Sequence, residues 1–289
     1  MLEIIFPSVA SIVSLSLVAL ISGLLLSYAK IKLKVEKDSR IELILGFLPN
    51  ANCGGCGFSG CLAYSTRIVE DKYDINLCPV GGQTVVDNIA KIMGVESVPS
   101  DAAMTARVHC RGGVHEASSK FFYEGPKSCK AAKSIMGGFK VCEYGCLGFG
   151  DCKNVCPFGA ITIAGTHLPV IDQDKCAGCG NCVTECPKHI IKLVRKDMNV
   201  HIMCSNTEKP AVMKFGCSVG CTGCNLCVKA CREVFSNNTN IDSAIEVNDF
   251  LADIDYGKCI NCLKCAEACP VPVINPLSLS KKFKKNWMN

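Results

Sequence analysis

Two short stretches of the sequence each contain four cysteines and end in proline, with the spacing C-x2-C-x2-C-x3-C-P. One begins at Cys176 and ends at Pro187, and the other begins at Cys259 and ends at Pro270. In bacterial two-cluster ferredoxins, the first three cysteines of such a run bind one iron–sulfur cluster and the fourth binds its neighbour. The spacing therefore predicts two ferredoxin-like units, each with a pair of adjacent clusters.

The composition supports a scaffold built on cysteine. The chain has 24 cysteines in 289 residues, close to the share at which cysteine chemistry rather than packing alone holds a fold together. A hydrophobic share of 49% and a charged share of 20% exclude a disordered chain. The formal charge of +5 counts every thiol as neutral, and metal-bound thiolates would lower it, so we expect no binding to nucleic acid.

The N-terminal segment is strongly apolar, with no charged residue between positions 4 and 29. As a helix it would be about 39 Å long against about 30 Å of hydrocarbon, so residues 1–30 are predicted to form a single transmembrane anchor. Basic residues follow between positions 30 and 40, which by the positive-inside rule places the remaining chain on the cytoplasmic side of the cell membrane. Thiols there stay reduced and available to metals. A buried core helix is the alternative.

A separate cysteine motif follows the predicted anchor, with the spacing C-x2-C-x4-C-x16-C. Its glycines allow the backbone to approach a bulky inorganic core. We predict a stalk and a small [4Fe–4S] domain within residues 31–98. Gly55 to Gly60 also fit G-x-G-x-x-G, but no apolar strand precedes them, which argues against a dinucleotide site. The predicted ligands are Cys53, Cys56, Cys61 and Cys78.

The remainder of the chain is an internal duplication. Five cysteines recur 75 residues later, and the four of the ferredoxin run recur 83 residues later, which indicates an insertion near residues 236–240 of the second copy. The fold class is therefore predicted as α+β, with ferredoxin-like units at 99–198 and 199–276 and a basic tail at 277–289. The five matched pairs are Cys129 with Cys204, Cys142 with Cys217, Cys146 with Cys221, Cys152 with Cys227 and Cys156 with Cys231.

Crossed pairing of these motifs predicts four further clusters. Phe149 occupies the first-copy position that corresponds to Cys224, so one cluster lacks a ligand, and Cys142 is the candidate substitute. The predicted ligand sets are Cys156, Cys176, Cys179 and Cys182; Cys142, Cys146, Cys152 and Cys186; Cys221, Cys224, Cys227 and Cys269; and Cys231, Cys259, Cys262 and Cys265.

Five [4Fe–4S] clusters are thus expected, and a sixth stays an open alternative. The remaining cysteines either bind that sixth cluster or are small buried hydrophobic residues. Zinc is the rival metal, but a structural zinc site needs two cysteine pairs a dozen or more residues apart. The cysteines left over are Cys110, Cys129, Cys204 and Cys217.

No catalytic motif and no nucleotide site emerges from the sequence. The five histidines have no metal-ligand spacing. The chain is therefore predicted to move electrons without a substrate site of its own. The alternative is a stand-alone ferredoxin-dependent reductase that binds a small substrate between its cluster domains.

The order of these features resembles a known family. An apolar N-terminal segment, then the motif at residues 48–57, then ferredoxin runs, is similar to the B subunit of Rnf complexes, the ion-translocating ferredoxin:NAD oxidoreductases. Residues 123–132, 145–152 and 217–221 resemble the long, cluster-rich form of that protein. The resemblance implies a translocase component that takes electrons from soluble ferredoxin and passes them to other membrane subunits within the lipid bilayer. It also implies that flavin, NAD and ion chemistry belong to those other subunits.

Overall fold

The computed structural model describes residues 2–32, 38–100, 102–236, 242–271 and 273–276. The predicted basic tail at 277–289, and most of the predicted insertion at 236–240, lie outside these ranges. Short helices and short antiparallel strand pairs alternate along the described chain, which is the α+β class predicted from the sequence.

The chain begins with a long helix, α1 (Leu2–Lys32). Within the described ranges, no helix has both the length and the apolar character required to cross a bilayer. The transmembrane anchor therefore stays a prediction.

Three helices form the N-terminal domain: α2 (Ser39–Phe47), α3 (Cys61–Asp71) and α4 (Gly82–Met93). They enclose a core in which Ile44, Ile68 and Ile89 are all 0% exposed. The Asp38 side chain accepts a hydrogen bond from the Arg40 N–H at 2.9 Å and caps α2. Asn52 accepts one from the Cys61 N–H at 2.9 Å, which fixes the start of α3 at a cysteine.

Each half of the duplication has the same strand arrangement. The first and last strands of a half pair with each other, and the two strands between them form a hairpin. The first half contains β1 (Met104–Val108) paired with β4 (Ile191–Arg195), the hairpin β2 (Ile161–Ile163) and β3 (Pro169–Ile171), and the helices α6 (Asp151–Asn154) and α7 (Asn181–Glu185). The second half contains β5 (Val200–Ile202) paired with β8 (Ile274–Pro276), the hairpin β6 (Ile245–Asn248) and β7 (Leu251–Ile254), and the helices α9 (Leu226–Phe235) and α10 (Lys264–Glu267).

Backbone hydrogen bonds join the two halves. The segment between β1 and α6 contains helix α5 (Cys129–Ser134), and the equivalent segment after β5 contains α8 (Pro210–Gly216). The Ser118 N–H donates to the Gly216 carbonyl at 3.0 Å, and the Ser218 N–H donates to the Glu116 carbonyl at 2.9 Å. The two connecting segments therefore lie side by side at the junction of the halves.

We predict that Tyr64→Phe loosens the segment that carries the last cysteine of the N-terminal motif. The buried Tyr64 hydroxyl donates to the Asp74 carbonyl at 2.8 Å and accepts from the Leu77 N–H at 3.2 Å. Loss of both bonds should lower the free energy of local opening by about 1–3 kcal/mol. Hydrogen–deuterium exchange at Leu77 would measure this.

Tyr73→Phe is the matched control, because Tyr73 is 48% exposed and lies edge-on to Phe58. Exchange at Leu77 should be unchanged in that variant. Equal protection of Leu77 in Tyr64→Phe and wild type would show that the two hydrogen bonds do not hold this segment.

Candidate metal centres

The structure gathers the 24 cysteines into six groups of four, which we call sites 1 to 6 in the order in which they adjoin one another. Site 1 is Cys53, Cys56, Cys61 and Cys78. Site 2 is Cys156, Cys176, Cys179 and Cys182. Site 3 is Cys129, Cys146, Cys152 and Cys186. Site 4 is Cys110, Cys142, Cys204 and Cys217. Site 5 is Cys221, Cys224, Cys227 and Cys269. Site 6 is Cys231, Cys259, Cys262 and Cys265.

Sites 1, 2, 5 and 6 contain the cysteines that the spacing grouped. The thiols of sites 2 and 5 line small cavities. In site 2 the Ala160 N–H lies 3.4 Å from Cys156 Sγ, and in site 6 the Ala244 N–H lies 3.4 Å from Cys231 Sγ. Backbone donors of this kind stabilise metal-bound thiolates.

Site 3 differs from the prediction, because its fourth cysteine is Cys129 and not Cys142. The thiols line a small cavity beside α6. The buried Asp151 carboxylate accepts hydrogen bonds from the Ser128 hydroxyl at 2.9 Å and from the Lys130 N–H at 3.1 Å. Asp151 thereby holds the first turn of α5, which begins at Cys129, next to the cysteines that flank α6.

An aromatic cluster occupies the position where the second copy has a cysteine. Phe149 lies 5.5 Å from Tyr123 and 5.9 Å from Phe139, measured between ring centroids. Tyr123 and Phe139 belong to the segment that carries α5, and Phe149 belongs to the loop between Cys146 and Cys152. The ring contacts therefore pack that segment against this loop. The segment thereby brings Cys129 to the other three cysteines of site 3, whose loop has no counterpart of Cys224.

Site 4 lies between the two halves and takes two cysteines from each. Its thiols line a small cavity. Cys142 Sγ accepts a hydrogen bond from the Asn206 side-chain amide at 3.3 Å, and Cys204 Sγ accepts one from the Asn206 N–H at 3.5 Å. Asn206 is 2% exposed, so one buried residue orients cysteines of both halves.

The sequence match of Cys129 with Cys204 does not hold in the structure, where Cys110 takes the position that corresponds to Cys204. Cys110 stands two residues after β1, as Cys204 stands two residues after β5. Cys110 Sγ accepts from the Cys146 N–H at 3.4 Å, and Cys204 Sγ accepts from the Cys221 N–H at the same distance. Cys110 is therefore the structural counterpart of Cys204, and site 4 unites two equivalent pairs of cysteines.

Each quartet offers the donor set of a [4Fe–4S] cluster, which is four cysteine thiols. The cysteines surround small cavities, and Gly112 is so close to site 4 that an added Cβ would lie 3.3 Å from Cys217 Sγ. Among the described residues, no group of three or more Cys, His, Asp or Glu side chains is placed to hold a single metal ion.

Burial sets the protonation of these thiols. It raises the pKa of Cys204 to about 12 and that of Cys182 to about 12. At neutral pH such thiols hold their protons until a positively charged metal core replaces them, so loading releases protons. Burial also raises the pKa of Cys217, and the positive charge of Lys140 opposes that rise. Lys140 is buried, and its Nζ donates to the Gly112 carbonyl at 2.6 Å.

Contacts link the six sites into a continuous line. A Cβ at Gly55 of the site 1 loop would lie 3.1 Å from Cys179 Cα of site 2. Sites 2 and 3 meet where α6 packs against α7, and sites 5 and 6 meet where α9 packs against α10. The bonds from the Cys146 N–H to Cys110 and from the Cys221 N–H to Cys204 connect sites 3 and 5 to site 4.

Two buried histidines lie near the centres without being placed as ligands. Burial lowers the pKa of His109 and of His201 to about 4. The His201 ring is 2.8 Å from the Tyr256 hydroxyl and 3.0 Å from the Met198 carbonyl. His201 is therefore a neutral residue held by hydrogen bonds.

Cys129, Asp151 and Asn206 are the functional candidates that motif spacing missed. Their roles depend on contacts between distant segments. The divisibility of 24 cysteines by four was the one sequence signal that pointed to a further site.

Comparison with protein families supports iron–sulfur binding. Residues 48–80 match a family described as a putative Fe–S cluster domain. Residues 142–190 and 220–273 each match a 4Fe–4S dicluster domain. The second family covers the ferredoxin runs of both halves.

Several curated proteins are similar over most of the chain. The B subunit of the Na⁺-translocating ferredoxin:NAD⁺ oxidoreductase complex of Acetobacterium woodii is 41% identical over 261 residues, which is 90% of this chain and 75% of the relative. The B subunit of the proton-translocating complex of Clostridium ljungdahlii is 38% identical, over 92% of this chain and 91% of the relative. The B subunit of the ion-translocating oxidoreductase complex of Methanosarcina acetivorans is 35% identical, over 87% and 92%.

We predict that Asp151→Ala makes site 3 labile. The variant leaves the Ser128 hydroxyl and the Lys130 N–H without their acceptor, which costs about 1–3 kcal/mol for hydrogen bonds to a carboxylate and frees the start of α5. Iron of site 3 should then be released to a chelator faster than in wild type, as followed by absorbance. The exposed Asp174 gives the control variant Asp174→Ala, and equal release rates in the two variants would contradict this role for Asp151.

Proposed function

This chain belongs to the B-subunit family of Rnf-type ion-translocating ferredoxin:NAD oxidoreductases, and on that premise we propose that it is the electron relay of such a translocase. It would take electrons from reduced soluble ferredoxin and deliver them to membrane subunits of the complex. The observation that carries this proposal is the unbroken line of six cysteine quartets. Metal sites that only stabilise the fold do not need to lie next to one another.

We assign one [4Fe–4S] cluster to each of the six sites. A bound cluster supplies reversible one-electron chemistry at low potential. The residues of this chain would hold it with four thiolates and direct backbone N–H groups at several of the sulfur atoms. The proposed division is a stalk and site 1 within 31–98, sites 2 and 3 in the first unit at 99–198, sites 5 and 6 in the second unit at 199–276, and site 4 at their junction.

The exposure of the cysteines suggests a direction along the line. Cys224 of site 5 and Cys262 of site 6 are exposed, whereas the cysteines of site 1 are half-buried and are the first to follow the N-terminal segment in the sequence. Ile260, between two ligands of site 6, is 60% exposed. We therefore place the ferredoxin contact at sites 5 and 6 and the delivery to membrane subunits at site 1.

We also propose that α1 anchors the chain in the cytoplasmic membrane as a single pass, with all six sites on the cytoplasmic side. Leu15 and Leu26 of α1 are 71% and 72% exposed. A continuous exposed apolar surface of this kind is typical of contact with lipid or with a partner. The basic residues that follow α1 fit the cytoplasmic face.

The stand-alone reductase is the weaker alternative. An open groove lies between α9 and the hairpin of β6 and β7. Two of the cations that line it are paired with carboxylates, Arg232 with Asp242 at 2.9 Å and Lys258 with Asp255 at 3.2 Å. Steady reduction of a small molecule by the purified chain alone would be needed to support this alternative.

We predict that Cys110→Ala and Cys204→Ala each remove the same cluster. Both variants should lose about four irons per chain, because both residues belong to site 4. The double variant should lose no more iron than either single variant. Iron analysis of anaerobically purified protein would measure this.

Additive loss in the double variant would mean that these cysteines serve different clusters. A matched comparison is Cys110→Ala combined with Cys129→Ala, which should lose about eight irons because Cys129 belongs to site 3. Additive loss in the double variant of Cys110 and Cys204 would contradict the assignment of a cluster to site 4 and leave the assignments of the other sites unchanged.

We predict that Cys182→Ala interrupts the relay. The variant should lose about four irons at site 2 and block transfer from reduced ferredoxin to the membrane subunits. Sites 3 to 6 should still be reduced by ferredoxin, which stopped-flow absorbance can follow. Thr184→Ala, an exposed change on the same short helix, is the control and should transfer electrons as wild type does. Unchanged flux in Cys182→Ala would exclude a linear path through site 2.

A further inference from the structure

Lys140 is a cation in the interior of the protein, only 5% exposed. Its Nζ donates to the Gly112 carbonyl at 2.6 Å. Within the described ranges, no carboxylate lies at ion-pair distance from that ammonium group. A neutral carbonyl does not cancel a charge, and a buried charge is unfavourable unless an anion compensates it. The position of Lys140 therefore requires a negative group nearby.

Gly112 places the ammonium group beside site 4. A Cβ at Gly112 would lie 3.3 Å from Cys217 Sγ and 3.8 Å from Cys110 Sγ, so this glycine lies against thiols of both halves. Together with the covalent bonds of Gly112, these contacts place the Lys140 Nζ within about 10 Å of Cys217 Sγ. Site 4, once its thiols are deprotonated by a bound cluster, is the negative group that Lys140 requires.

The aliphatic part of the same side chain lies along the loop that joins site 4 to site 3. A Cβ at Gly145 would lie 3.3 Å from Lys140 Cδ and 3.7 Å from Cys142 Cβ. Gly145 directly precedes Cys146 of site 3. Burial raises the pKa of the Cys146 and Cys217 thiols, and the Lys140 charge opposes that rise at both. Lys140 is therefore held from two sides next to the centre that the two halves share.

We propose that Lys140 is a buried positive charge that raises the reduction potential of the cluster held at site 4. The inference rests on the proposed function, which places a cluster there. Reduction adds negative charge to a centre that four thiolates already make negative. A nearby cation stabilises the reduced form more than the oxidised form, and the low dielectric of the interior strengthens the effect.

The second half has no such cation at the equivalent position. The residue 75 positions after Lys140 is Phe215, which is 80% exposed. Arg111 also borders site 4, but it is partly exposed, and the Glu116 carboxylate offsets part of its charge. In the proposed relay, the Lys140 charge makes transfer from site 5 to site 4 more favourable than it would be without that charge.

The test is a redox titration of the full, cluster-loaded chain followed by electron paramagnetic resonance. Lys140→Gln should lower the midpoint potential of the site 4 signal by more than that of any other signal, at unchanged iron content. The site 4 signal is identified as the one that is absent from Cys110→Ala. Lys140→Arg keeps the charge and should retain the wild-type potentials.

Lys214→Gln is the matched control. Lys214 stands three residues before Cys217, as close in sequence to a ligand of site 4 as Lys140 nearly is, but it is exposed on α8. Solvent and salt screen its charge, so its removal should shift no potential. A shift as large as that of Lys140→Gln would overturn the claim that burial gives Lys140 its effect.

Two further results overturn the proposal. One is a set of wild-type potentials in fully loaded Lys140→Gln. The other is a downward shift in fully loaded Lys140→Arg that equals the shift in Lys140→Gln, which would show that the shape of the side chain, and not its charge, matters.

If Lys140→Gln loses the iron of site 4, Lys140→Arg decides alone. Full iron with unshifted potentials in that variant would support the proposal, and loss of the same iron would overturn it by showing that Lys140 only holds the site together. Wild-type protein without iron would instead overturn the proposed function.

Discussion

The structure depends on thiols that are buried as core residues and still lie in groups able to bind metal. Cys221, Cys227 and Cys231 belong to the same buried cluster as Val200 and Ile245. The strands of the two halves have only three to five residues, too few to form a large apolar core by themselves. Metal loading and folding of these units are therefore coupled.

In the proposed relay, the junction between the halves connects the two ferredoxin-like units. Site 4 takes an equivalent pair of cysteines from each half, and Asn206 contacts a cysteine of each. Duplication alone would give two separate cluster pairs with no centre between them. In the proposed relay, site 4 is the centre between the two pairs. Each site from the second half to the N-terminal domain then has a neighbouring site.

The motifs predicted the sites whose ligands lie close together in the sequence. Three ligands of site 2 or site 6 come from one short run, because a turn of backbone can wrap one corner of a cluster. Sites 3 and 4 could not be predicted in this way. The choice between Cys129 and Cys142 depends on Asp151 and Asn206, which act across 21 and 64 residues of sequence. The family resemblance supplied the partners and the function, which spacing alone could not.

The two halves are not identical at their cysteines. Phe149 stands where the second half has Cys224, and Cys129 lies with the other three cysteines of site 3. The two halves therefore take the fourth cysteine of equivalent sites from different segments.

Iron and acid-labile sulfide, counted per chain on anaerobically purified protein, test the central claim most directly. Six occupied sites predict about 24 irons and about 24 sulfides. About 20 of each, with Cys110, Cys142, Cys204 and Cys217 free to react with a thiol reagent, would contradict the shared site. Stoichiometric zinc without sulfide would contradict the whole account.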